Sequence, residues 1–286
     1  MIVHAHPDDE CFTTGGTFAH YSAAGVTTVL VTATGGEEGE IVVPELATPE
    51  NFARLRELRD AELAAAVQVL GIHHLERLGY RDSGMVDTPA NSHPESLHMA
   101  DREAATRRVV ELVRRYQPHV LISYDEQGGY GHPDHIACHQ ITVAAFAAAG
   151  DPQQYPGTGA AWEPSKLYYA TLPRNQIYRA WQQMRERGME TPLDNPEFDV
   201  SRFTQPDERV TTRIDVRAYL PQKRASLDCH VTQIKKDSPF MIIPDDLAQD
   251  LFGYEYFILA QTRVALPPRT DGQLYEDDLF AGIGEQ

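Results

Sequence analysis

Hydrophobic residues in this chain come in short bursts, and the spacing within each burst changes along the sequence. Residues 1–4 form an apolar burst that stops on a histidine, which reads as a strand end. Residues 14–24 have helical spacing and stop at Gly25, a residue suited to the left-handed position just past a helix. Residues 26–32 are rich in β-branched side chains and predict a buried strand. Strand, helix and strand in so short a span form a βαβ unit, which implies parallel pairing. A loop with several glycines over 33–50 follows, and residues 52–70 then predict a long helix rich in Ala, Leu, Glu and Arg, closed by Gly71. Residues 73–78 predict a strand, 79–94 a loop, and 101–116 an amphipathic helix ended by Pro118. A strand over 119–123 and a helix over 135–149, stopped by Gly150, complete the regular part.

Strand ends at His4, Gly79 and Tyr124 release their loops in the same way. In an open α/β sheet such ends share one edge, where binding sites form. Beyond residue 150 the pattern is less regular. Strands are predicted over 165–171, 211–216 and 254–261, helices near 176–188 and over 221–232, and mostly loop over 191–207. The acidic tail from Pro267 is expected to wrap the surface. The prediction is an α/β fold with a mostly parallel sheet flanked by helices.

Length and charge narrow the function. The 286 residues allow one or two domains with a real core. The balance of 25 basic against 42 acidic residues gives a net charge of -17, which disfavours nucleic acid and acidic membrane surfaces as partners. Three cysteines, Cys11, Cys138 and Cys229, lie far apart with no CxxC pair, against both a disulfide framework and a four-cysteine zinc site. No charged leader precedes an apolar core and no long apolar run occurs, so neither a signal peptide nor a membrane span is expected, and the cytoplasm is the expected location. A homo-oligomer is compatible with the sequence, which fixes no copy number.

Two polar clusters carry the candidate chemistry. The first is His4, His6, Pro7, Asp8, Asp9 and Glu10 after the first strand; the second runs from Gly128 to His135 as GGYGHPDH after the strand at 119–123. Neither would make a good core, since carboxylates are seldom buried unpaired. Alone, each would read as a strand-end cap or a turn. Together, at the ends of two strands of one sheet, adjacent carboxylates and histidines are what a divalent metal needs if water is to stay in its shell. A free carboxylate beside such a water can take its proton. Asp8 and Asp9, being neighbours, can divide those tasks. His4 stands apart from this assignment and fits a place beneath the site equally well.

With these motifs the chain resembles the LmbE-like (PIG-L) N-acetylglucosaminyl deacetylase family, and within it the mycothiol group. That group holds a deacetylase making a glucosaminyl-inositol and an amidase of thiol S-conjugates. The resemblance spans nearly the whole chain and is carried by HAHPDDE at 4–10, TGGEEGE at 34–40, RDSGM at 81–85, YDEQGGYGHPDH at 124–135 and HVTQI at 230–234. It implies a Rossmann-like α/β catalytic region over 1–160 and a smaller C-terminal α+β portion over 161–286, packed as one globular unit. It implies His6, Asp9 and His135 as ligands of one divalent metal, Zn2+ first and Fe2+ as the alternative, because two histidines and a carboxylate suit both. It implies Asp8 as general base, Tyr130 and His132 beside the oxyanion, and Asp134 bonded to His132 to tune it. Glu40, Arg59 and Asp82 match the positions that hold the sugar and inositol part of the substrate.

The implied reaction is hydrolysis of the N-acetyl amide of a small, polar, sugar-like molecule. The amidase pattern carries a lysine soon after HPDDE, where this chain has Cys11, Phe12, Thr13 and Thr14; the stretch DEQGGYGHPDHIACHQ and SKLYY at 165–169 lean toward the amidase, so both substrates stay open. Cys11 and Cys138 read as structural. A metal- or sugar-binding protein without turnover is a third reading, opposed by the intact set of Asp8, Tyr130 and His132. A nucleotide-binding Rossmann protein is disfavoured, because no GxGxxG follows the first strand.

Overall fold

The computed structural model describes residues 1–268 and 272–284. Its frame is a seven-stranded sheet of β1 (Ile2–His4), β2 (Val29–Thr34), β3 (His74–Tyr80), β4 (Val120–Ser123), β5 (Lys166–Thr171), β6 (Thr212–Asp215) and β7 (Tyr254–Thr262), in the order β3-β2-β1-β4-β5-β7-β6. The first five run parallel, and β7 pairs antiparallel with both β5 and β6. The sheet therefore continues without a break across residue 160.

Alternation along the strands feeds two cores. Val3, Val31, Leu121 and Leu167 face one side, under α5 (Arg102–Tyr116) and α7 (Pro133–Ala148). Ile2, Leu30, Ile122 and Tyr168 face the other, where α2 (Gly15–Ala23), α4 (Leu55–Leu70) and α9 (Leu220–Cys229) cover them with Phe18, Leu63 and Leu227. The remaining helices are α1 (Asp9–Thr13), α3 (Pro49–Ala53), the single turn α6 (Gly128–Gly131), α8 (Arg174–Glu186), α10 (Pro239–Ile242) and α11 (Asp245–Phe252). No helix of the described residues is long and apolar enough to cross a membrane.

Four expectations need correction. The helix at 14–24 is preceded by a separate one, α1, which starts at once because Asp8 turns the chain through φ 96°. The helix at 52–70 breaks at Arg54 (φ -121°, ψ 21°), after a first turn capped by Thr48. Residues 245–252, where no element is predicted, form α11, whose Leu247, Ala248 and Leu251 pack on Ala180 and Met184 of α8. The tail does more than wrap the surface: Glu276 accepts hydrogen bonds from Lys166 Nζ (2.6 Å), Tyr168 Oη (2.7 Å) and Thr212 Oγ1 (2.8 Å) beneath β5 and β6. Residues 269–271 and 285–286 of the tail lie outside the described residues.

Lys166 is fully buried and Glu276 is its one ion-pair partner among the described residues. Glu276→Ala strands that cation, so the variant is expected to lose about 3–5 kcal/mol of stability, measured by urea unfolding. A loss well under 1 kcal/mol would show that Lys166 finds water or another acceptor.

Candidate active site

The strand order reverses between β1 and β4, and in such sheets the crevice above that point collects ligands. Both polar clusters emerge there. At the end of β1, His6 and Asp9 are locked to each other by the His6 backbone amide, which donates to Asp9 Oδ2 at 2.8 Å. At the end of β4 the chain makes a glycine turn tied to Asp125, whose Oδ1 accepts the amides of Gln127 (3.0 Å) and Gly129 (2.9 Å). Gly128 has φ +65°, and a Cβ on it would stand 2.8 Å from His135 Cβ, so only glycine lets the turn close over α7. His132 then caps α7, its Nδ1 accepting the Asp134 amide at 3.1 Å.

Three donors converge. His6 Nδ1 and His135 Nε2 are 3.3 Å apart; Asp9 Oδ2 lies 3.5 Å from the first and Asp9 Oδ1 3.5 Å from the second. Metal bonds of about 2.0–2.1 Å in a tetrahedron put ligand atoms about 3.3–3.4 Å apart, so the two ring nitrogens have the right span, with one oxygen of Asp9 bordering each. The remote nitrogens support the same reading. His6 Nε2 donates to Asp134 Oδ2 (3.2 Å) and His135 Nδ1 donates to Gly128 O (3.1 Å), so Nδ1 of the first and Nε2 of the second face inward, the second as a lone pair and the first becoming one when His6 gives up its second proton. His132 is a neighbour of this set: one ring nitrogen each of His6, His132 and His135 lies within 4.8 Å of the others.

Charge is balanced tightly here. Burial works against a proton on His6, yet Asp82, Asp134 and Asp9 outweigh it and hold the ring well above its usual range. Burial likewise opposes ionisation of Asp9, and His135 and His6 outweigh it, keeping the carboxyl well below normal. Burial, with the His6 charge nearby, lowers His135 to about 3 and His132 to about 4 against the pull of Asp9 and its fellow acids, so both rings are neutral at pH 7. With its Nδ1 accepting a backbone amide, neutral His132 carries its proton on Nε2.

The Asp8 carboxyl moves the opposite way from that of Asp9. Burial lifts it to about 6, against the pull of the Arg59 guanidinium 3.3 Å away and with a push from Asp9. Its side chain keeps 18% exposure. Tyr130, 39% exposed, stands edge-on to His135 with ring centroids 4.9 Å apart, and burial of its hydroxyl raises it further above an already basic value, so it remains a donor. A cleft of about 470 Å³ opens beside Asp9 and His135, walled by Phe12, Tyr130, Trp181, Phe198, Phe203 and Tyr254.

Not every expected residue joins this group as the sequence implies. The Asp134 carboxylate makes no hydrogen bond to His132; it binds the Ser83 amide (2.9 Å), the Ser83 hydroxyl and His6. Arg59 is buried, donating to Gly36 O (2.6 Å) and Pro7 O (2.5 Å) besides pairing with Asp8. Asp82 is buried too, 3.6 Å from His6 and accepting the Gly84 (2.8 Å) and Glu38 (3.2 Å) amides; burial opposes its charge, and His6 outweighs it. Glu40 is exposed, and its carboxylate makes no hydrogen bond or ion pair among the described residues. His4 packs beneath, within 3.1 Å of Tyr124 Oη and 2.8 Å of Thr14 Oγ1. Cys11 is buried and donates to Glu10, and burial pushes its thiol well up, as suits a structural residue.

Sequence reasoning missed three holders of the site. Tyr124 donates to Asp9 Oδ2 at 2.7 Å and stacks on His135 at 4.1 Å between centroids; its place directly after β4 was the available signal. Ser83 anchors Asp134 from inside RDSGM. His230 reaches Glu10 at 2.7 Å from 220 positions away, which no local pattern reveals.

Fold and site together define a class: a Rossmann-like α/β protein holding a histidine and carboxylate cluster, fit for a divalent cation, at the switch point of its sheet. The chain belongs to the PIG-L family, whose model, described as GlcNAc-PI de-N-acetylase, matches residues 1–146. A relative from Acidothermus cellulolyticus named 1D-myo-inositol 2-acetamido-2-deoxy-alpha-D-glucopyranoside deacetylase is 44% identical over 99% of this chain and 94% of its own length. Among solved structures, N,N'-diacetylchitobiose deacetylase from Pyrococcus horikoshii superposes with a TM-score of 0.61 at 18% identity, covering 90% of this chain and 80% of its own. The 4-carboxy-2-hydroxymuconate hydratase of Pseudomonas putida gives 0.60 at 18% identity, covering 94% and 98%. One fold thus carries different reactions, and activity has to be argued from the site.

Proposed function

We propose that this protein hydrolyses the N-acetyl amide of an N-acetylglucosaminyl-inositol, releasing acetate and the free amine. The observation that carries the proposal is the mutual spacing of His6, Asp9 and His135 with a half-open, weakly acidic Asp8 beside them. The likeness to the deacetylase from Acidothermus cellulolyticus over nearly the full chain supports the substrate.

His6, Asp9 and His135 would hold one divalent cation, which we assign as Zn2+ with Fe2+ as the alternative; bound there it would acidify a water and polarise an amide carbonyl. Asp8, with its carboxyl near neutrality, takes the proton of the attacking water. Negative charge then grows on the carbonyl oxygen, where the Tyr130 hydroxyl and the His132 Nε2–H donate. Asp8 returns its proton to the departing amine. Arg59 and Asp82 reach substrate only by exchanging the bonds that now fix their loops, so Glu40, with its carboxylate open, is the first acceptor for sugar or inositol hydroxyls.

The apolar cleft favours a second reading. Its aromatic walls exceed what an acetyl group fills, and they suit an amide bearing a larger apolar group, such as a thiol S-conjugate. The discriminating experiment measures amine release from N-acetylglucosaminyl-inositol and from an acetylcysteinyl glucosaminyl-inositol thioether by metal-loaded protein. Higher kcat/KM on the first is expected; preference for the thioether would move the assignment to the conjugate amidase, and release from neither would sink both substrates.

A further inference from the structure

Asp8 occupies a helix N-cap position, where an aspartate ordinarily turns its carboxylate onto the first backbone amides of the helix. Here it does not: its side chain makes no capping bond to α1, and its backbone sits at φ 96°, ψ -29°. A non-glycine residue in the left-handed region persists only where its surroundings impose it, and such residues gather at functional sites.

The imposing contact is visible. The Asp8 amide donates to Glu10 Oε2 at 2.9 Å, and Glu10 Oε1 accepts from Cys11 Sγ at 3.0 Å and from His230 Nε2 at 2.7 Å. Glu10, Cys11 and His230 are all fully buried. His230 Nδ1 has no partner among the described residues, so the bond to Glu10 is what places the ring. The segment bearing His230 is pinned in turn: the Thr232 amide and hydroxyl each donate to Glu62 on α4 at 2.8 Å. The same helix sends Arg59 to the Asp8 carboxylate. Asp8 is thereby gripped by its backbone from one side and its carboxylate from the other.

We propose that the buried Glu10–His230 pair is a positioning device: by holding the Asp8 amide it keeps the residue left-handed and its carboxylate off the end of α1, free to act on water. This rests on reading Asp8 as the base; neither side chain of the pair hydrogen-bonds to His6, Asp9 or His135. Without it, Asp8 relaxes toward an ordinary N-cap, and its carboxylate turns to the α1 amides.

The test compares Glu10→Gln, His230→Phe and His230→Gln with wild type, and Asp8→Asn with the Asp8→Asn/Glu10→Gln double variant, for amide hydrolysis by the zinc-loaded full chain. Misplacement of a reacting group by about 1 Å costs on the order of 100-fold. Glu10→Gln and His230→Phe are therefore expected to lower kcat by roughly 10- to 100-fold, with KM and zinc content unchanged. His230→Gln, which keeps a donor, recovers most of the rate. In the Asp8→Asn background Glu10→Gln adds no further loss. Glu10→Gln keeps the volume of the site and supplies the reading if His230→Phe does not fold. Wild-type kcat in both single variants, with only a lower Tm, would overturn the proposal while leaving the base assignment intact. An equal further loss in the Asp8→Asn background would overturn it too. Wild-type activity of Asp8→Asn itself would sink the base assignment and this proposal with it.

Discussion

Alanine at Asp8 is expected to lower kcat for amide hydrolysis by roughly 10²–10⁴-fold, the range typical of a lost general base, while bound metal stays at the wild-type ratio. Two features separate Asp8 from its neighbour. Asp9 is tied by the His6 amide and the Tyr124 hydroxyl and held well below its usual range, so it is a poor proton acceptor and suits a cation instead. Asp8 has its carboxyl raised to about 6, so near pH 7 it is mostly ionised and still basic enough to accept a proton. Steady-state kinetics with metal analysis of the same preparation makes the measurement. Loss of metal together with activity would make Asp8 a ligand, and unchanged kinetics would remove it from the mechanism.

The second large effect is expected from His135→Ala, which should abolish both metal binding and turnover. The ring is buried and neutral, its Nδ1 is held by Gly128 O, and its Nε2 points at His6 Nδ1 and Asp9. Its removal leaves one histidine and one carboxylate, too few for a tight site. The readout is thermal. Added Zn2+ raises the wild-type Tm, since a cation at about 100 times its Kd adds about 2.7 kcal/mol of stability, and it leaves the variant's Tm unchanged. An equal rise in both would transfer the site to the other histidine near the cluster, His132.

The sequence made the site's location legible because the chemistry is concentrated. HPDDE and HPDH each follow a β-rich burst, and parallel strands deliver such ends to one edge, so the pairing of the two clusters follows from topology. Asp134 departs from what the resemblance implies: a bond to His132 was expected, but α7 begins between the two residues and turns the carboxylate toward Ser83. The burial of Arg59 was not legible either, because periodicity reports which face of a helix is apolar, whereas a buried guanidinium held by carbonyls of two loops leaves no periodic trace. The pairings of Glu276 and of His230, which opens the HVTQI stretch, were invisible for another reason. Their partners, Lys166 and Glu10, are remote in sequence, and a buried ion pair looks on paper like two surface charges.

The last strand has a temporal consequence. β7 lies between β5 and β6 within the sheet, and His230 belongs to the chain's final quarter. A growing chain can assemble β1 to β4 and bring His6, Asp9 and His135 together while the rest is still being made. Glu10 must wait for His230, so the nascent protein passes through a stage in which the three side chains are gathered while Glu10 is still without its histidine.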